Sequence, residues 1–273
     1  MRMLRTRPRL QASNDTRQDN VVSASALKLH VAKIITSDRA GKVIGALTRN
    51  QIRHHGLQFD CGGADFTPRV RAQMFWGVYE SAETRMIHTF LRDSTTVVEL
   101  GSSLGVTTAH IAAVMARGGR LICVEANPRL LPGLRERTLC HANSIDIDVI
   151  QAGVTDHNGV TDLALASETV GSQVGNLRSR EALVQIPALT LREILNKTRV
   201  GAFDLVSDIE GSEAAFLLHD PDVLSRCRRA ILELHNTAVN GNNVSICDLL
   251  DAAYTAGFRI ISRRGPVVAL ARP

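Results

Sequence analysis

The sequence feature that most constrains the fold is a short apolar strand that runs into a glycine-containing turn and then directly into a helix. It is VVELGSSLGVTTAH, at residues 97–110. From this point onward, apolar segments of strand length alternate with segments of helical periodicity. Such alternation predicts an α/β fold with a mainly parallel sheet and helices on both faces. Sheets of this kind bind ligands at the carboxyl ends of their strands.

The same alternation predicts where the elements lie. Strands are expected at 97–100, 121–125, 147–151, 203–208, 230–235, 258–262 and 267–271. Helices are expected at 106–116, from Asn127 to about His141, after the capping box of Thr190 and Glu193, and at 244–256. Pro132 leaves open a start one turn later for the second of these helices. Residues 156–188 break the alternation and indicate extra strands or a loop.

The turn itself has the residues that a ligand-binding turn needs. Gly101 allows a sharp turn and lets a ligand approach bare backbone, and Gly105 allows the helix to pack close to the strand. Glu99 places a carboxylate beside the turn. A carboxylate there repels pyrophosphate and attracts an ammonium group, such as that of a methionine moiety.

Two nucleotide-binding motifs are excluded at this turn. Ser103 stands where the dinucleotide fingerprint requires its second glycine, and no Gly-Lys-Ser/Thr follows as in a phosphate-binding loop. An ordinary tight strand–helix turn without a ligand is the alternative interpretation.

A second carboxylate favours an adenosine-type cofactor. Glu125 ends the next strand, where an acidic residue can accept hydrogen bonds from both hydroxyls of a ribose; a surface carboxylate near a helix N-terminus is the alternative. Gly153 and Val154 follow the third strand, and their order along the chain assigns them to the adenine. The predicted cofactor is S-adenosylmethionine, and its predicted contacts are Glu99, Gly101, Ser102, Ser103, Gly105, Val106, Glu125, Ala126, Gly153, Val154 and Asp208.

Charge and hydropathy exclude several classes of protein. The net charge is +5, and its excess lies in the first twenty residues, which contain five arginines. We therefore expect no basic stripe on the folded surface and no nucleic-acid partner; a tail that touches acidic lipid or polymer is left open. No apolar stretch approaches 18 residues, so no membrane span is expected, and residues 1–15 have no apolar secretion signal.

The cysteines indicate a reducing compartment. Their number, five, is odd, and no CxxC pair occurs, which argues against a disulfide framework and a zinc finger. We expect a cytoplasmic protein without a metal site, with homo-oligomerisation left open.

Three segments are expected along the chain. Residues 1–25 are predicted to be a disordered arm, residues 26–92 a small extension of hairpins and a helix, and residues 93–273 the α/β domain. Within the extension, VIGAL at 43–47 is interpreted as part of a hairpin, and 70–91 as one helix. The adjacent pair His54 and His55 is interpreted as surface histidines on opposite faces of a strand.

Three segments resemble the FkbM family of class I methyltransferases. FWGVYESAETRMIHTFL at 75–91 is similar to the family's entry helix, and VVELGSSLGVTT to its cofactor turn. FDLVSDIEGSEAAFL at 203–217 resembles its Asp-x-Glu-Gly-x-Glu signature, and ILELH at 231–235 follows it. The resemblance covers about residues 55–270.

The resemblance implies a Rossmann-like, seven-stranded sheet with one antiparallel strand. It also implies methylation of hydroxyl groups on sugars or natural products. Many relatives have Lys two residues before the first acid of the signature, whereas this chain has Val206, so no role of that Lys is carried over.

The predicted acceptor site lies at the ends of the fourth and fifth strands. His235 is the predicted base, because an imidazole titrates near neutral pH, and Asp208 is predicted to orient it or to line the methionine end of the cofactor. Glu233 completes the predicted catalytic set. Structural roles remain open: a hydrogen-bonded core position for His235, an arginine partner for Glu233 and a helix cap for Glu210. These oxygens and the imidazole also suit Mg²⁺, although the sequence shows no dedicated ligand cage.

The sequence thus predicts an O-methyltransferase for a hydroxyl of a sugar, glycan or glycosylated natural product. Its partners are expected to be a small-molecule or glycan acceptor and S-adenosylmethionine. One alternative is a catalytically inactive cofactor-binding protein with a regulatory or scaffolding role, which Asp208 and His235 facing away from the cofactor pocket would favour. The other is a nicotinamide-dependent oxidoreductase.

Overall fold

The computed structural model describes residues 31–141, 145–165, 173–174 and 182–273. The predicted arm at 1–25 lies outside the described residues. Residues 31–35 are helical. The part that follows contains three helices and a hairpin, namely α1 (Asp38–Thr48), β1 (Gln51–His54), β2 (Leu57–Asp60), α2 (Pro68–Phe75) and α3 (Ser81–Phe90).

The remainder alternates strands and helices, as the sequence predicts. The elements up to the fourth long strand are β3 (Thr96–Leu100), α4 (Val106–Val114), β4 (Arg120–Glu125), α5 (Leu131–His141), β5 (Asp146–Gln151), β6 (Gly153–Val154), β7 (Gly159–Leu165), β8 (Gln173–Val174), β9 (Ala182–Leu189), α6 (Leu191–Thr198) and β10 (Phe203–Ser207). Those after it are α7 (Ala214–Leu217), a 3₁₀ helix (Pro221–Arg226), β11 (Cys227–Glu233), β12 (Thr237–Val239), β13 (Asn242–Val244), α8 (Ile246–Thr255), β14 (Arg259–Arg264) and β15 (Val267–Ala271).

The central sheet has seven strands in the order β14-β15-β11-β10-β3-β4-β5. The pairs β11–β10, β10–β3, β3–β4 and β4–β5 are parallel. β15 is antiparallel to both of its neighbours. This arrangement confirms the α/β fold and the seven-stranded, mainly parallel sheet. The carboxyl ends of the other six strands therefore lie along one edge.

The inner strands are mainly apolar and buried because both faces of the sheet are covered. On one face, Val98 and Leu100 pack with Ile194 of α6 and Leu249 of α8 in one buried cluster. On the other face, a second cluster joins Val97 to α3 and α4 through Met86, Ile87, Ile111 and Ala112. The helix α3, which belongs to the predicted extension, is thus part of the core of the sheet.

The interruption after the third strand contains a second sheet. Its order is β6-β9-β7-β8, with β7 and β9 antiparallel over residues 159–165 and 182–189. The prediction of extra strands is confirmed for the described part of this region. After it, Thr190 accepts a hydrogen bond from the Glu193 N–H and caps α6, as expected.

Two predictions for the N-terminal part were wrong. VIGAL lies in the helix α1, which begins after the cap Ser37. Its glycines are packing positions rather than turns, because a Cβ on Gly41 would lie 1.6 Å from the Pro68 carbonyl oxygen. The segment 70–91 is two helices, because Gly77 and Glu80 adopt positive φ values of 65° and 43° between them.

The fifth strand also differs from its prediction. β11 begins at Cys227 and ends at Glu233, so His235 lies two residues beyond the strand rather than at its end. Asp208 likewise follows β10 by one residue. The helix α5 begins at Leu131, which confirms the later start that Pro132 left open. Among the described residues, none of the helices has the length and apolarity to cross a membrane.

Candidate cofactor and acceptor site

The glycine turn brings the ends of three strands together. The Gly101 N–H donates to the Val124 carbonyl at 2.9 Å, and the Asp208 N–H donates to the Leu100 carbonyl at 3.0 Å. Gly101 has φ +86°, and a Cβ built on it would lie 1.9 Å from the Asp208 carbonyl oxygen. A side chain at this position would clash with the backbone that follows β10. Glycine is therefore required here whether or not a ligand binds at the turn. Gly105 also has a positive φ, and a Cβ on it would lie 2.9 Å from Leu134 Cδ1, so its close contact is with the helix α5 rather than with the strand.

Glu99 is buried at the bottom of the turn. Its Oε2 accepts hydrogen bonds from Ser102 Oγ at 2.8 Å and Thr108 Oγ1 at 2.6 Å. Its Oε1 has no hydrogen-bond partner among the described residues. Burial raises the pKa of Glu99. One carboxylate oxygen is thus held in place by hydroxyls, and the other is left for a ligand.

A narrow cavity lies above Glu99 and is lined by four acids from three elements. Glu80, Glu83, Glu99 and Asp208 line it, together with Gly101, Thr107, Val206 and others, and none of the described residues of the lining is basic. Burial raises the pKa of Glu80 and of Glu83 to about 7. Because buried carboxylates need a compensating charge, the cavity fits a cation. The sulfonium and ammonium groups of S-adenosylmethionine are such cations.

Sequence reasoning placed Glu80 in the entry motif but did not assign it or Glu83 to the site. Glu80 precedes α3 at φ 43° and accepts a hydrogen bond from Thr107 Oγ1. Glu83 is buried on α3. Glu80 and Glu83 are far along the chain from Glu99 and Asp208, so a single sequence does not indicate that these four acids line one cavity. Val206 faces the same cavity, so the position where relatives have Lys contributes no cation here.

Glu125 joins two loops at the end of β4. Its Oε2 accepts from the Ser103 N–H and its Oε1 from the Asn127 N–H, both at 2.7 Å. Burial raises the pKa of Glu125, and these backbone N–H groups oppose that rise. Each oxygen retains a second lone pair, so the geometry fits two ribose hydroxyls. Nearby, Ser102 and Val106 are buried, and Ser103 and Ala126 are half-buried.

Gly153 and Val154 form the short strand β6, which pairs with Ala188 and Leu189 of β9. Val154 also lines an open pocket with Thr155 and Asp156 on one side and Gly211 and Thr237 on the other. The role of this strand toward an adenine stays a prediction.

The predicted catalytic residues converge. His235 Nε2 lies 4.0 Å from Asp208 Oδ1, 3.7 Å from Glu210 Oε2 and 3.9 Å from Glu233 Oε1. His235 Nδ1 lies 3.5 Å from Oε1 of the fully buried Glu213. Asp208 lines the cavity above Glu99 and therefore faces the predicted cofactor site, whereas the orientation of His235 toward that site stays a prediction. Arg228 and Arg229 instead pair with Asp204, not with Glu233.

The carboxylates change the titration of this group. Glu213 and the other acids raise the pKa of His235 to about 9, against a smaller opposing effect of burial. Burial and the neighbouring Glu80 and Glu210 raise the pKa of Asp208 to about 8. A free His235 is therefore mostly protonated at neutral pH. The sequence-based assumption of an imidazole near its ordinary pKa does not hold in this setting.

The same residues form a candidate cation site. Asp208, Glu210 and His235 each offer one ligand atom, and these atoms lie within 4.8 Å of one another. Mixed oxygen and imidazole ligands suit several divalent ions. The predicted absence of a metal remains untested.

The interpretation of His54 as a surface residue was wrong. Its side chain is fully buried, and its Nε2–H donates to the Tyr79 carbonyl at 2.9 Å. His54 Nδ1 lies 3.1 Å from Nε2 of the buried His110, whose Nδ1 lies 3.1 Å from His88 Nε2. Burial lowers the pKa of His54 to about 4, with a further contribution from His55. His54 lies on the buried face of β1, where residues alternate between exposed and buried, and hydrogen bonds satisfy its ring there.

Comparisons with known proteins identify the family of this chain. The sequence profile of the family described as Methyltransferase FkbM domain matches residues 99–260. A search of the curated proteins found no match.

Among solved structures, similar ones include the precorrin-6y C5,15-methyltransferase from Geobacter metallireducens, with 10% identity over 70% of this chain and 84% of that chain and a TM-score of 0.39. A ribosomal protein L11 methylase from Lactobacillus delbrueckii subsp. bulgaricus has 13% identity over 71% and 79%, with a TM-score of 0.40. A Streptococcus pneumoniae protein described as a candidate tRNA (m1A22) methyltransferase, in complex with S-adenosyl-L-methionine, has 12% identity over 70% and 72%, with a TM-score of 0.38.

Proposed function

The chain belongs to the FkbM family of S-adenosylmethionine-dependent methyltransferases, and on this premise we propose that it methylates a hydroxyl group of a sugar, a glycan or a glycosylated natural product. The observation that carries this proposal is the convergence of His235 with four carboxylates at the sheet edge, next to the glycine turn. Carboxylates accept hydrogen bonds from hydroxyls, and several of them in one site suit an acceptor with several hydroxyls.

The chain's own residues account for the binding of the cofactor. Glu99, Glu80 and Glu83 would hold its positively charged end, and Glu125 its ribose. When bound, S-adenosylmethionine supplies a methyl group on a sulfonium. The free Oε1 of Glu99 and the absence of a basic side chain from the cavity lining support this assignment.

The acceptor hydroxyl must be held in line and must lose its proton. Asp208 is the residue shared by the cofactor cavity and the His235 group, so it is placed to orient a hydroxyl between them. His235 is the proposed proton acceptor, with Glu213 holding its Nδ1 side. Its raised pKa makes it a strong base that is present mostly in the protonated form at neutral pH. Positioning therefore contributes a large part of the rate, and the base contributes more as the pH rises.

The test is transfer of a labelled methyl group to a panel of acceptors. The panel contains methyl glycosides, sugar phosphates, nucleotide sugars and glycosylated small molecules, with amines and nucleic acid as controls. We expect label in an acid-stable methyl ether of a hydroxyl-bearing acceptor, and loss of that label in His235→Ala. Label on nitrogen alone contradicts the proposal.

The candidate cation site gives a second measurement on the same residues. The assay is repeated after treatment with a chelator and after addition of Mg²⁺ or Mn²⁺. Unchanged turnover leaves His235 as the base. If turnover is lost with the chelator and recovers with the metal, the activation of the hydroxyl would be assigned to an ion held by Asp208, Glu210 and His235 instead of to His235 as a base.

A further inference from the structure

A second cavity lies beside the acidic site and has the opposite charge. It opens between α3 and the end of β14 and has a volume of about 390 Å³. Its lining consists of two arginines, two histidines and two threonines, namely His55, Thr84, Arg85, His88, Thr89 and Arg264. None of the described residues that line it has a carboxylate.

The two arginines of this cavity have no ion-pair partner among the described residues. Neither Arg85 nor Arg264 forms an ion pair with any described residue. Burial and the nearby charges of His55 and Arg92 lower the pKa of His88, so the surroundings of this imidazole are positive. An anion in the cavity would relieve this repulsion.

A buried hydroxyl points to the same conclusion. Thr84 is only 1% exposed, and its Oγ1 has no hydrogen-bond partner among the described residues. Thr89, on the same helix, satisfies its hydroxyl with the Arg85 carbonyl at 2.7 Å. Because a buried hydroxyl without a partner is costly, Thr84 needs an acceptor from outside the protein.

The register of the sheet fixes the distance to the acceptor site. Arg264 pairs with Val267 of β15, which in turn pairs with Glu233 of β11. These three residues form one row across the sheet, so Arg264 and Glu233 lie two strand spacings apart, about 10 Å. On α3, Glu83 lines the acidic cavity and the next residue, Thr84, lines the basic one.

We propose that the basic cavity binds a phosphate group of the methyl acceptor while a hydroxyl of the same molecule lies at Asp208 and His235. Phosphate is favoured because two guanidiniums and a hydroxyl match its several acceptor oxygens. The acceptor class is then a phosphorylated sugar or a nucleotide-linked sugar, which share this group and differ in length. This inference rests on the proposed function for its acceptor end, whereas the phosphate site stands on its own residues.

The first experiment measures binding of inorganic phosphate by calorimetry at constant ionic strength and neutral pH. We expect saturable binding that weakens at least about tenfold in R85Q/R264Q and about threefold in T84V, since charge-assisted hydrogen bonds are stronger than neutral ones. The matched control is R263Q, which removes the same charge from the next residue of β14. Arg263 donates to the Gly265 carbonyl and is not part of the cavity lining.

The control and the melting temperatures decide the outcome. We expect R263Q to bind phosphate within about twofold of the parent chain, because long-range charge is screened by salt. Equal losses in R263Q and R85Q/R264Q, or no saturable binding at all, would overturn the phosphate site. T84V preserves the shape of Thr84, so an unchanged melting temperature with weakened binding separates a lost contact from a damaged fold.

The second experiment tests the link to the acceptor site. Glucose 1-phosphate, a nucleoside diphosphate sugar, glucose and inorganic phosphate are compared in the presence of S-adenosylhomocysteine. We expect one of the phosphorylated sugars to bind more tightly than phosphate and glucose, with the gain reduced in E233Q and the whole affinity reduced in R264Q. If neither exceeds phosphate, the acceptor assignment is overturned. These measurements need no methyl transfer, so they are independent of a failure of the proposed O-methylation.

Discussion

Two regions at one edge of the sheet have opposite charge, an acidic centre and a basic cavity. In the acidic centre, the carboxylates of Asp208, Glu210, Glu213 and Glu233 surround one imidazole, His235, and Asp208 also lines the cavity of Glu80, Glu83 and Glu99. In the basic cavity, Arg85, Arg264, His55 and His88 lie together, and none of the described residues of the lining is acidic. Both regions use α3, where Glu83 and Arg85 are two residues apart but face different cavities.

The comparison shows that the protein keeps unlike charges apart where they could have neutralised each other. A surface arginine and a nearby glutamate commonly pair at small gain. Here the acidic centre has an excess of negative charge and the basic cavity an excess of positive charge. Each excess is favourable only when a ligand of the opposite charge binds. The acidic centre suits the cationic cofactor, and the basic cavity suits an anionic acceptor.

The largest expected effect comes from removing the imidazole that lies among these carboxylates. We expect His235→Ala to lower turnover by roughly 10²–10⁴-fold, the usual contribution of a positioned acid–base group. The affinity for S-adenosylmethionine should scarcely fall, because the loss concerns the chemical step. The measurement is turnover and calorimetry on the same preparation. A decrease of only a few-fold would leave His235 with a structural role.

The pH profile sharpens this prediction. Since the pKa of His235 is raised to about 9, kcat/KM should rise with pH up to about 9, because the base acts only after losing its proton. In the complex, a nearby cation disfavours the imidazolium, so the limb in kcat should lie at lower pH than the limb in kcat/KM. His235→Ala should lose both limbs. Persistence of both limbs in the variant would assign the titration to another group.

The second effect tests the contact that assembles the acidic centre. We expect Gly101→Ala to lower the free energy of unfolding by about 2–4 kcal/mol, since it adds backbone strain and a clash with the Asp208 carbonyl. The control is Gly118→Ala, where φ is +72° and no atom lies within 4 Å of the added Cβ. It should cost about 1 kcal/mol, from the backbone alone. Equal losses in denaturant unfolding would show that the clash relaxes without cost.

The third effect concerns Glu125, the acid proposed to bind the ribose of the cofactor. Glu125→Ala should weaken binding by about 1.5–3 kcal/mol through lost hydrogen bonds. Because the ribose is uncharged, S-adenosylmethionine and S-adenosylhomocysteine should lose the same amount in calorimetry. An unequal loss would mean that Glu125 acts through its charge, and an unchanged affinity would restrict it to bridging Ser103 and Asn127.

The smallest effect separates charge from shape in the acidic centre. E80Q/E83Q should weaken S-adenosylmethionine about tenfold while changing S-adenosylhomocysteine little, because only the former carries the sulfonium charge. As the pKa of both acids lies at about 7, the preference for the cation should grow as the pH rises through 7. The control is E136Q, an exposed acid on α5. Equal weakening of both ligands, or a preference that does not vary with pH, would contradict this role.

The sequence predicts the parts of this protein that depend on local pattern. The strand VVEL, the glycines at 101 and 105 and the acids at 99 and 125 follow one another with fixed spacing, so their places at the sheet edge follow from the order of strands. The short helix after Thr190 is predictable because its cap is local. The seven-stranded sheet follows from buried apolar strands and from the resemblance.

The parts that could not be predicted depend on contacts between distant segments. Glycines at 41 and 45 look like turn residues, and only the approach of α2 explains them in a helix. His54 is buried because it meets His110, 56 residues away. The pKa of His235 depends on Glu213, which one sequence shows only as a member of a motif. The basic cavity joins α3 to β14 across most of the chain.

The hydrogen bond between the Asp208 N–H and the Leu100 carbonyl has a consequence for exchange kinetics. This bond extends the ladder of β3 and β10 by one residue past the last strand residue, and the Gly101 contact packs against it. The amide of Asp208 should therefore exchange with solvent deuterium at the slow rate of the sheet, and the amides of Glu210 and Gly211 much faster. We therefore expect the carboxylate of Asp208 to change its partners by side-chain rotation, while the backbone of this residue stays in place.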